Sequence, residues 1–443
     1  MDVERQILKH LPRDAQPTVG FIDEYCSGYK DLFKEVRGYE CFKYLHVGMI
    51  SSIKRKSLPE IAKVVGVNSA QSLHHFIAQS PWSVTEWRQR RLLLTLKALT
   101  GKKITVVIDE TGDRKKGKAT DYVARQYLGS VGKIDQGIVT VNAYGIYEQV
   151  TFPLLFKIFK PKGTLKPEDQ YRTKIELASL IIEELVECGF EISLVLADSL
   201  YGESSAFIQT LDRYKLPWVL AIRSNHGVLM PSHQRVRANK WCKFERIFSD
   251  KTSETRYIRE IIFGKRRSRI YWEITTDPET MPENSTSFVM TNLSGKSPQI
   301  KKMLGNLYGL RTWIEYGFRQ CKQELGWKDY RFTKFEQIEK WWELIMSAYL
   351  MISLNTKVFG LLNPVQTVSN VDEVHANFPR HQQWNEQEGW KNTLKNLRLI
   401  IQPIILLWLI YPWLEIFPNR YLLLGFHQLI ALMNQFYSYF PDG

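Results

Sequence analysis

Apolar positions recur along this chain with two different periods, and the switches between them divide it. The first hundred residues keep a helical period. After Pro59, Ile61, Val64 and Val65 fall on one helical face, Gly66 interrupts it, and Ser69 is placed to cap a second helix. Helix, short glycine-containing turn, helix is the pattern that lays its second helix in a DNA groove, although many helical hairpins share it and touch no DNA. WRQRRLLLTLKAL (87–99) continues as an amphipathic helix with a basic start.

From residue 102 the period shortens. ITVVID (104–109) is an apolar run ending in a carboxylate, the signature of a buried strand. Asp121–Leu128 and Gly137–Tyr147 read as further strands and Pro153–Gly163 as a connector. Tyr171–Cys188 returns to helical spacing through Ile175, Leu177, Ile181, Ile182 and Leu185. ISLVLAD (192–198) is a second apolar strand ending in a carboxylate, followed by a helix over Ser205–Tyr214 and a strand over Trp218–Ile222. This order favours an α/β fold, a mixed sheet with helices against it. Residues 226–300 break the pattern. There RYIREIIFGKRRSRIYWEIT (256–275) alternates about a Gly–Lys turn and SFVMTNL (287–293) is a short strand, so the stretch reads as a β-rich insertion. A proline-free helical period resumes from Gln299 to about Gln323, and the remainder from about residue 335 is helical and aromatic-rich.

Composition narrows the function. Of 443 residues 44% are hydrophobic, which excludes a disordered tail, and 60 Lys and Arg against 46 Asp and Glu leave a net charge of +14 that favours an anionic partner. Five scattered cysteines without a C-x-x-C give neither a disulfide framework nor a zinc knuckle, and MDVERQILKHLPRD carries charges where a signal peptide needs its apolar stretch, so a cytoplasmic location is expected. The apolar run Ile400–Leu414 is 15 residues long and holds Gln402, Pro403 and Pro412. A spanning helix needs ~20 mostly apolar residues, so a helix buried in a large core or an interface, and no membrane, are expected.

Two strands deliver an aspartate at their ends, Asp109 in VVIDET and Asp198 in VLADSLYG. On adjacent strands two such carboxylates can share a divalent ion, since hard Mg²⁺ prefers carboxylate oxygens, and a third acid completes a two-metal site for phosphoryl transfer. In YGLRTWIEYGFRQCK, Tyr308, Arg311, Glu315 and Lys322 stand at offsets 0, 3, 7 and 14. On one helix these fall within about 60° of each other. The rival acid, Glu324, lies about 180° around such a helix from Glu315. Basic segments add phosphate-binding capacity: Lys115 and Lys116 in DRKKGK (113–118), and Lys265, Arg266 and Arg267 in GKRRSR (264–269).

With Y-x2-R-x3-E-x6-K behind VVIDET and VLADSLYG, residues 55–345 resemble the DDE transposases of bacterial insertion sequences, in the subgroup with a Tyr-Arg-Glu-Lys signature and a β-strand insertion before the glutamate. The resemblance implies a ribonuclease H-like core, two Mg²⁺ ions (with Mn²⁺ able to substitute) and cut-and-paste movement of double-stranded DNA. It maps Asp109, Asp198 and Glu315 onto the acidic, metal-holding triad, and Tyr308, Arg311 and Lys322 onto residues near the phosphates of the element end. Relatives that excise through a DNA hairpin use a tryptophan of the insertion. The comparable strand here offers Phe288 and no Trp, with Trp241 and Trp272 elsewhere in the insertion. The organisation expected is a DNA-binding helical region (1–100), a catalytic core (101–225 and 301–360) split by the insertion (226–300), and a helical C-terminal region (361–443) with a role in a homodimer on DNA. A structure-selective nuclease without strand transfer and a transposase-derived DNA-binding protein are the competing readings.

Overall fold

The structure, a computed structural model, describes residues 13–117, 119–129, 131–227, 236–247, 252–263, 269–293, 299–357 and 389–438. The chain forms two compact units, a helical one from Met1–Leu94 with Gln320–Gly443 and an α/β one from Thr95–Arg319. The helical unit opens with α1 (Gly20–Ser27), α2 (Val36–Ile50), α3 (Leu58–Val64) and α4 (Gln71–Ala78), and the chain leaves it along α5 (Val84–Ala98). Between α3 and α4 the turn holds Gly66 at φ +68°, and a Cβ there would stand 2.2 Å from the Trp408 ring, so backbone strain and contact both demand glycine. Ser69 does not take the N-cap position expected of it: Ala70 does, while Ser69 Oγ accepts from Gln71 N at 3.1 Å.

In the α/β unit one mixed sheet runs, strand by strand, through Ala124–Leu128, Lys133–Tyr147, Ile104–Arg114, Ile192–Ala197, Trp218–Ile222, Ser287–Thr291, Ile270–Thr275, Ser253–Phe263 and Val236–Ala238. Its first strands are β1 (Ile104–Arg114), β2 (Ala124–Leu128), β3 (Lys133–Tyr147) and β4 (Val150–Ile158). After α6 (Lys174–Glu187) come β5 (Ile192–Ala197), α7 (Ser199–Gly202), α8 (Ser205–Arg213) and β6 (Trp218–Ile222). Strand β3 is antiparallel to β1, whereas β5 and β6 run parallel with it, the ribonuclease H-like arrangement. The apolar runs of β1 and β5 are buried because parallel strands are covered on both faces. Helix α6 starts from a capping box of Thr173 with Glu176 and buries Leu177, Ile181, Ile182 and Leu185.

Strand β4 lies where a connector was expected. Pro153 is admitted because β4 pairs only with β3 among the described strands, and because it sits opposite Tyr144 at a register shift. The insertion supplies β7 (Val236–Ala238), β8 (Cys242–Ile247), β9 (Ser253–Phe263), β10 (Ile270–Thr275) and β11 (Ser287–Thr291). Strand β11 pairs antiparallel with β6, so the insertion prolongs the core sheet.

The expected continuous helix from Gln299 to Gln323 is two helices, α9 (Gln299–Gly309) and α10 (Thr312–Gln323). At the joint the hydrogen bonds tighten to i→i+3: Arg311 N to Tyr308 O at 3.1 Å and Trp313 N to Leu310 O at 2.9 Å. Such turns eclipse side chains three apart, which keeps Tyr308 and Arg311 together although the helix is broken.

The helical unit is completed by α11 (Phe335–Leu354), α12 (Trp390–Ile416) and α13 (Arg420–Ser438). Trp87 stacks on Trp82 with centroids 3.8 Å apart and meets Phe42 edge-on. The basic start of α5 is turned inward. Arg91 and Glu343 are 0% and 1% exposed and 2.5 Å apart, and Arg88 bridges Glu343 and Glu339 at 3.2 and 2.8 Å. Helix α12 passes through Pro403 and Pro412 and is long and apolar enough by composition to cross a membrane. Burial holds for its first half, through Trp390, Leu397, Ile401 and Ile404. Beyond Leu407, Leu409, Trp413 and Ile416 are exposed, as are Tyr421 and Leu424 of α13, so the core covers only the first half of α12.

Removing one partner of a buried ion pair strands the other. Glu343→Ala should therefore lower unfolding free energy by about 3–5 kcal/mol in denaturant titration. Glu339→Ala, at the more open end of the network, should cost clearly less. Equal losses would contradict the inward-facing network.

Candidate active site

The strand register brings two acids together. The last parallel pair between β1 and β5 is Ile108 with Ala197, and the next residue on each strand is an aspartate. Asp198 leaves the sheet to cap α7, its Oδ1 accepting from Leu200 N at 3.0 Å. That helix fits only because Gly202 presses on β6, where a Cβ would stand 1.9 Å from the Ala221 carbonyl oxygen. Asp109 is not a strand end. The strand runs on to Arg114 because β3 continues to pair with it, and Asp109 itself lies opposite Asn142. Its Oδ1 accepts from Glu110 N at 2.7 Å, and Glu110 forms an ion pair with Lys174 of α6 at 2.6 Å.

Burial pushes the Asp109 carboxyl up, Arg311 pulls it down and Asp198 pushes it up again, leaving it at about 7. Close by, Tyr201 is buried with a hydroxyl that has no hydrogen-bond partner among the described residues, and burial with Glu110, Asp109 and Asp198 holds it well above its usual range.

Arg311 links the sheet to the helix. Its Nη1 stands 3.4 Å from Asp109 Oδ2 and its Nη2 3.7 Å from Glu315 Oε1. Burial works against the guanidinium charge, but Tyr308, Asp109, Glu315 and Asp198 outweigh it and hold Arg311 above its usual value. Tyr308 is buried, while the Glu315 side chain is 55% exposed in the first turn of α10. Glu324 belongs to the helical unit and pairs there with Arg398 at 2.8 Å. Lys322, in the last turn of α10, also falls in that unit.

As the side chains lie, no three acidic, imidazole or thiol groups among the described residues stand close enough to hold a metal ion together. The donor chemistry nevertheless fits a divalent ion. The acids offer hard carboxylate oxygens, and at Asp109 burial and a second carboxylate make negative charge costly without a cation. Arg311 supplies that charge here.

The basic segments are less uniform than their sequences suggest. Arg114 is still in β1 and pairs with Asp135 at 2.8 Å. Lys115 is half-buried and Lys116 exposed, while Lys265, Arg266 and Arg267 lie outside the described residues. Trp272 is buried at 1% exposure, and Trp241 lies under the Arg259 guanidinium, 4.3 Å from its ring centre. Lys174 and Tyr201 escaped the sequence reading. Only the DSLYG run hinted at Tyr201, and nothing local tied Lys174 to Glu110.

Residues 32–243 match the DDE superfamily endonuclease family, and residues 167–351 match the transposase DDE domain. A protein of Microchaete diplosiphon, "Probable transposase for insertion sequence element IS701", is 54% identical over 329 residues, covering 74% of this chain and 86% of that protein. The cryo-EM structure of the piggyBac transposase synaptic complex with hairpin DNA superposes at a TM-score of 0.45 with 10% identity, covering 94% of this chain and 81% of that one.

Because the folded Asp109 value of about 7 exceeds its ordinary 3.8, the folded state holds the proton more tightly between those pH values. Metal-free stability should fall as pH rises through that window. Asp109→Asn should raise the metal-free melting midpoint at pH 8, by about 2–4 °C for each kcal/mol relieved, and change it little near pH 4. A lower midpoint at pH 8 would contradict the strained pair.

Proposed function

Since the chain belongs to the DDE transposase family of bacterial insertion sequences, we propose that Asp109, Asp198 and Glu315 are its acidic triad. The activity is that of a DNA transposase, an endonuclease and strand transferase, and it prevails over a nuclease without strand transfer or a non-enzymatic DNA-binding protein. Members of the superfamily generally use divalent metals. Two Mg²⁺ ions are proposed here, replaceable by Mn²⁺, held by these three carboxylates. The observation that carries the triad is the register: Asp109 and Asp198 follow the same ladder pair, and Arg311 joins Asp109 to Glu315.

Bound at such a site, divalent ions activate a water or a DNA 3′-hydroxyl and stabilise the departing oxygen of a phosphodiester. The chain's own residues do the rest. Asp109 and Asp198 are fixed by the sheet and the α7 cap, so they form the rigid side of the site. Glu315, on the open rim, is the acid that can adjust to DNA. Arg311 would exchange its carboxylates for a phosphate, using its planar fork, with Tyr308 close enough to favour its charge. Lys322 as a point charge, and Lys115, Lys116, Lys265, Arg266 and Arg267, would add phosphate contacts of the salt-dependent kind.

Cut-and-paste transposition joins two ends, and one site per chain calls for a homodimer on DNA, acting in the cytoplasm. The exposed apolar side of α12 and α13, with Leu409, Trp413, Ile416 and Tyr421, supports a subunit contact there.

The test incubates the full chain with its element ends in two lengths, a target plasmid and Mg²⁺, and sequences the products. Wild type should cut and join the ends and give mixed-length paired complexes on native gels. Alanine at Asp109, Asp198 or Glu315 should reduce cleavage at least about a hundredfold, with DNA affinity within about twofold. Cleavage that survives Glu315→Ala would sink the triad. Trp413→Asp should abolish only the paired complexes, and mixed-length pairs that persist would move the dimer contact elsewhere.

A further inference from the structure

The ladder that carries Asp109 also carries an oxygen that the three acids do not account for. Asn142 of β3 lies directly opposite Asp109 of β1, so both side chains leave the same face of the sheet, with Cβ atoms about 5 Å apart. Asn142 is 0% exposed. Its amide nitrogen donates within its own strand, to Thr140 O at 3.0 Å and to Thr140 Oγ1 at 2.9 Å. Thr140 O can only accept, so the amide cannot be turned over, and Oδ1 is the atom left facing away from Thr140. That Oδ1 has no hydrogen-bond partner among the described residues.

The same face leads to the third acid. Tyr144, two residues along β3, shares the face of Asn142. Its ring meets α10: a Cβ on Gly317 would stand 2.8 Å from Tyr144 Cε1, and Phe318 meets the ring edge-on with centres 5.9 Å apart. Glu315 lies in the first turn of that helix. Asn142 therefore sits on the face where β1 presents Asp109 and against which the helix of Glu315 is packed.

We propose that Asn142 is a fourth, neutral ligand of the divalent-ion site, its Oδ1 binding the ion that Asp109 holds. The inference rests on the reading of Asp109, Asp198 and Glu315 as the acidic triad and goes beyond it, adding a ligand from a strand that contributes no acid. A buried acceptor without a donor is costly. Asn142 cannot repay that cost by donating to Asp109, because both its N–H groups are given to Thr140. Two acceptors side by side fit a cation between them, and an amide oxygen is a hard donor of the kind that joins carboxylates around such ions. As the side chains lie, the acids of the described residues form no group of three that could hold an ion, so a neutral oxygen on this face supplies a ligand that they lack. The rival occupant is a water that donates to both oxygens.

The probe is Mn²⁺ added to the full, metal-free chain, with bound ion read from the free-ion electron paramagnetic resonance signal and Cd²⁺ then added as competitor. Asn142→Ala should weaken Mn²⁺ binding at least about tenfold. Asn142→Cys places a soft thiolate where the amide oxygen stood, so Cd²⁺ should displace Mn²⁺ from it at a Cd²⁺ to Mn²⁺ ratio at least about tenfold lower than from wild type. This second variant decides the matter if Asn142→Ala fails to fold, since an amide that is only structural, or only bridged by water, would not change which metal wins. Mn²⁺ affinity in folded Asn142→Ala within about twofold of wild type, or an unchanged displacement ratio in Asn142→Cys, would overturn the proposal. Asp109→Asn separates it from the triad reading. Loss of Mn²⁺ there with retention in Asn142→Ala removes Asn142 and leaves the triad, whereas Mn²⁺ binding unchanged by Asp109→Asn removes both.

Discussion

Two carboxylates follow the same pair of a buried parallel ladder, and at Asp109 burial first, with the neighbouring Asp198 adding to it, makes negative charge costly; the rest of the site is arranged around that cost. The ladder cannot slip alone to relieve it, because β1 is also paired with β3 and β5 with β6. Relief comes from outside the strands. The Asp198 carboxylate caps α7, Glu110 is neutralised by Lys174, and Arg311 reaches in from the joint between α9 and α10. Each device belongs to a different element, so the site is assembled only when sheet, α6 and the α9–α10 joint are all in place.

The helical unit answers its own electrostatic problem in another way. Arg91 and Glu343 neutralise each other inside an aromatic core. The acids proposed to hold metal ions are collected in the α/β unit.

Much of this was legible in the amino-acid sequence, for identifiable reasons. ITVVID and ISLVLAD read as central strands because parallel strands buried on both faces are continuous apolar runs, and that alone nominated Asp109 and Asp198. Where β1 stops was hidden, since TGDR stays in the strand only through pairing with β3, a partner no local pattern names. Strand β4 was hidden by Pro153, which an edge strand tolerates at a bulge. The break at Leu310–Arg311 left a trace in Gly309, yet the three-residue spacing of Tyr308 and Arg311 survived it because the joint is a tightened turn. The second half of α12 reads as buried in a core or an interface, and composition cannot say which of the two covers an apolar face.

The claim on which the rest depends is that Asp109, Asp198 and Glu315 form one cation site, now neutralised by Arg311. Titration of the metal-free, DNA-free chain with Mn²⁺, followed by the loss of the free-ion electron paramagnetic resonance signal, tests it without relying on activity. Wild type should bind the ion, Asp109→Asn and Asp198→Asn should each weaken binding at least about tenfold, and Arg311→Ala should tighten it, because the competing guanidinium is gone. Mn²⁺ binding that is the same in wild type, Asp109→Asn and Asp198→Asn would contradict the account.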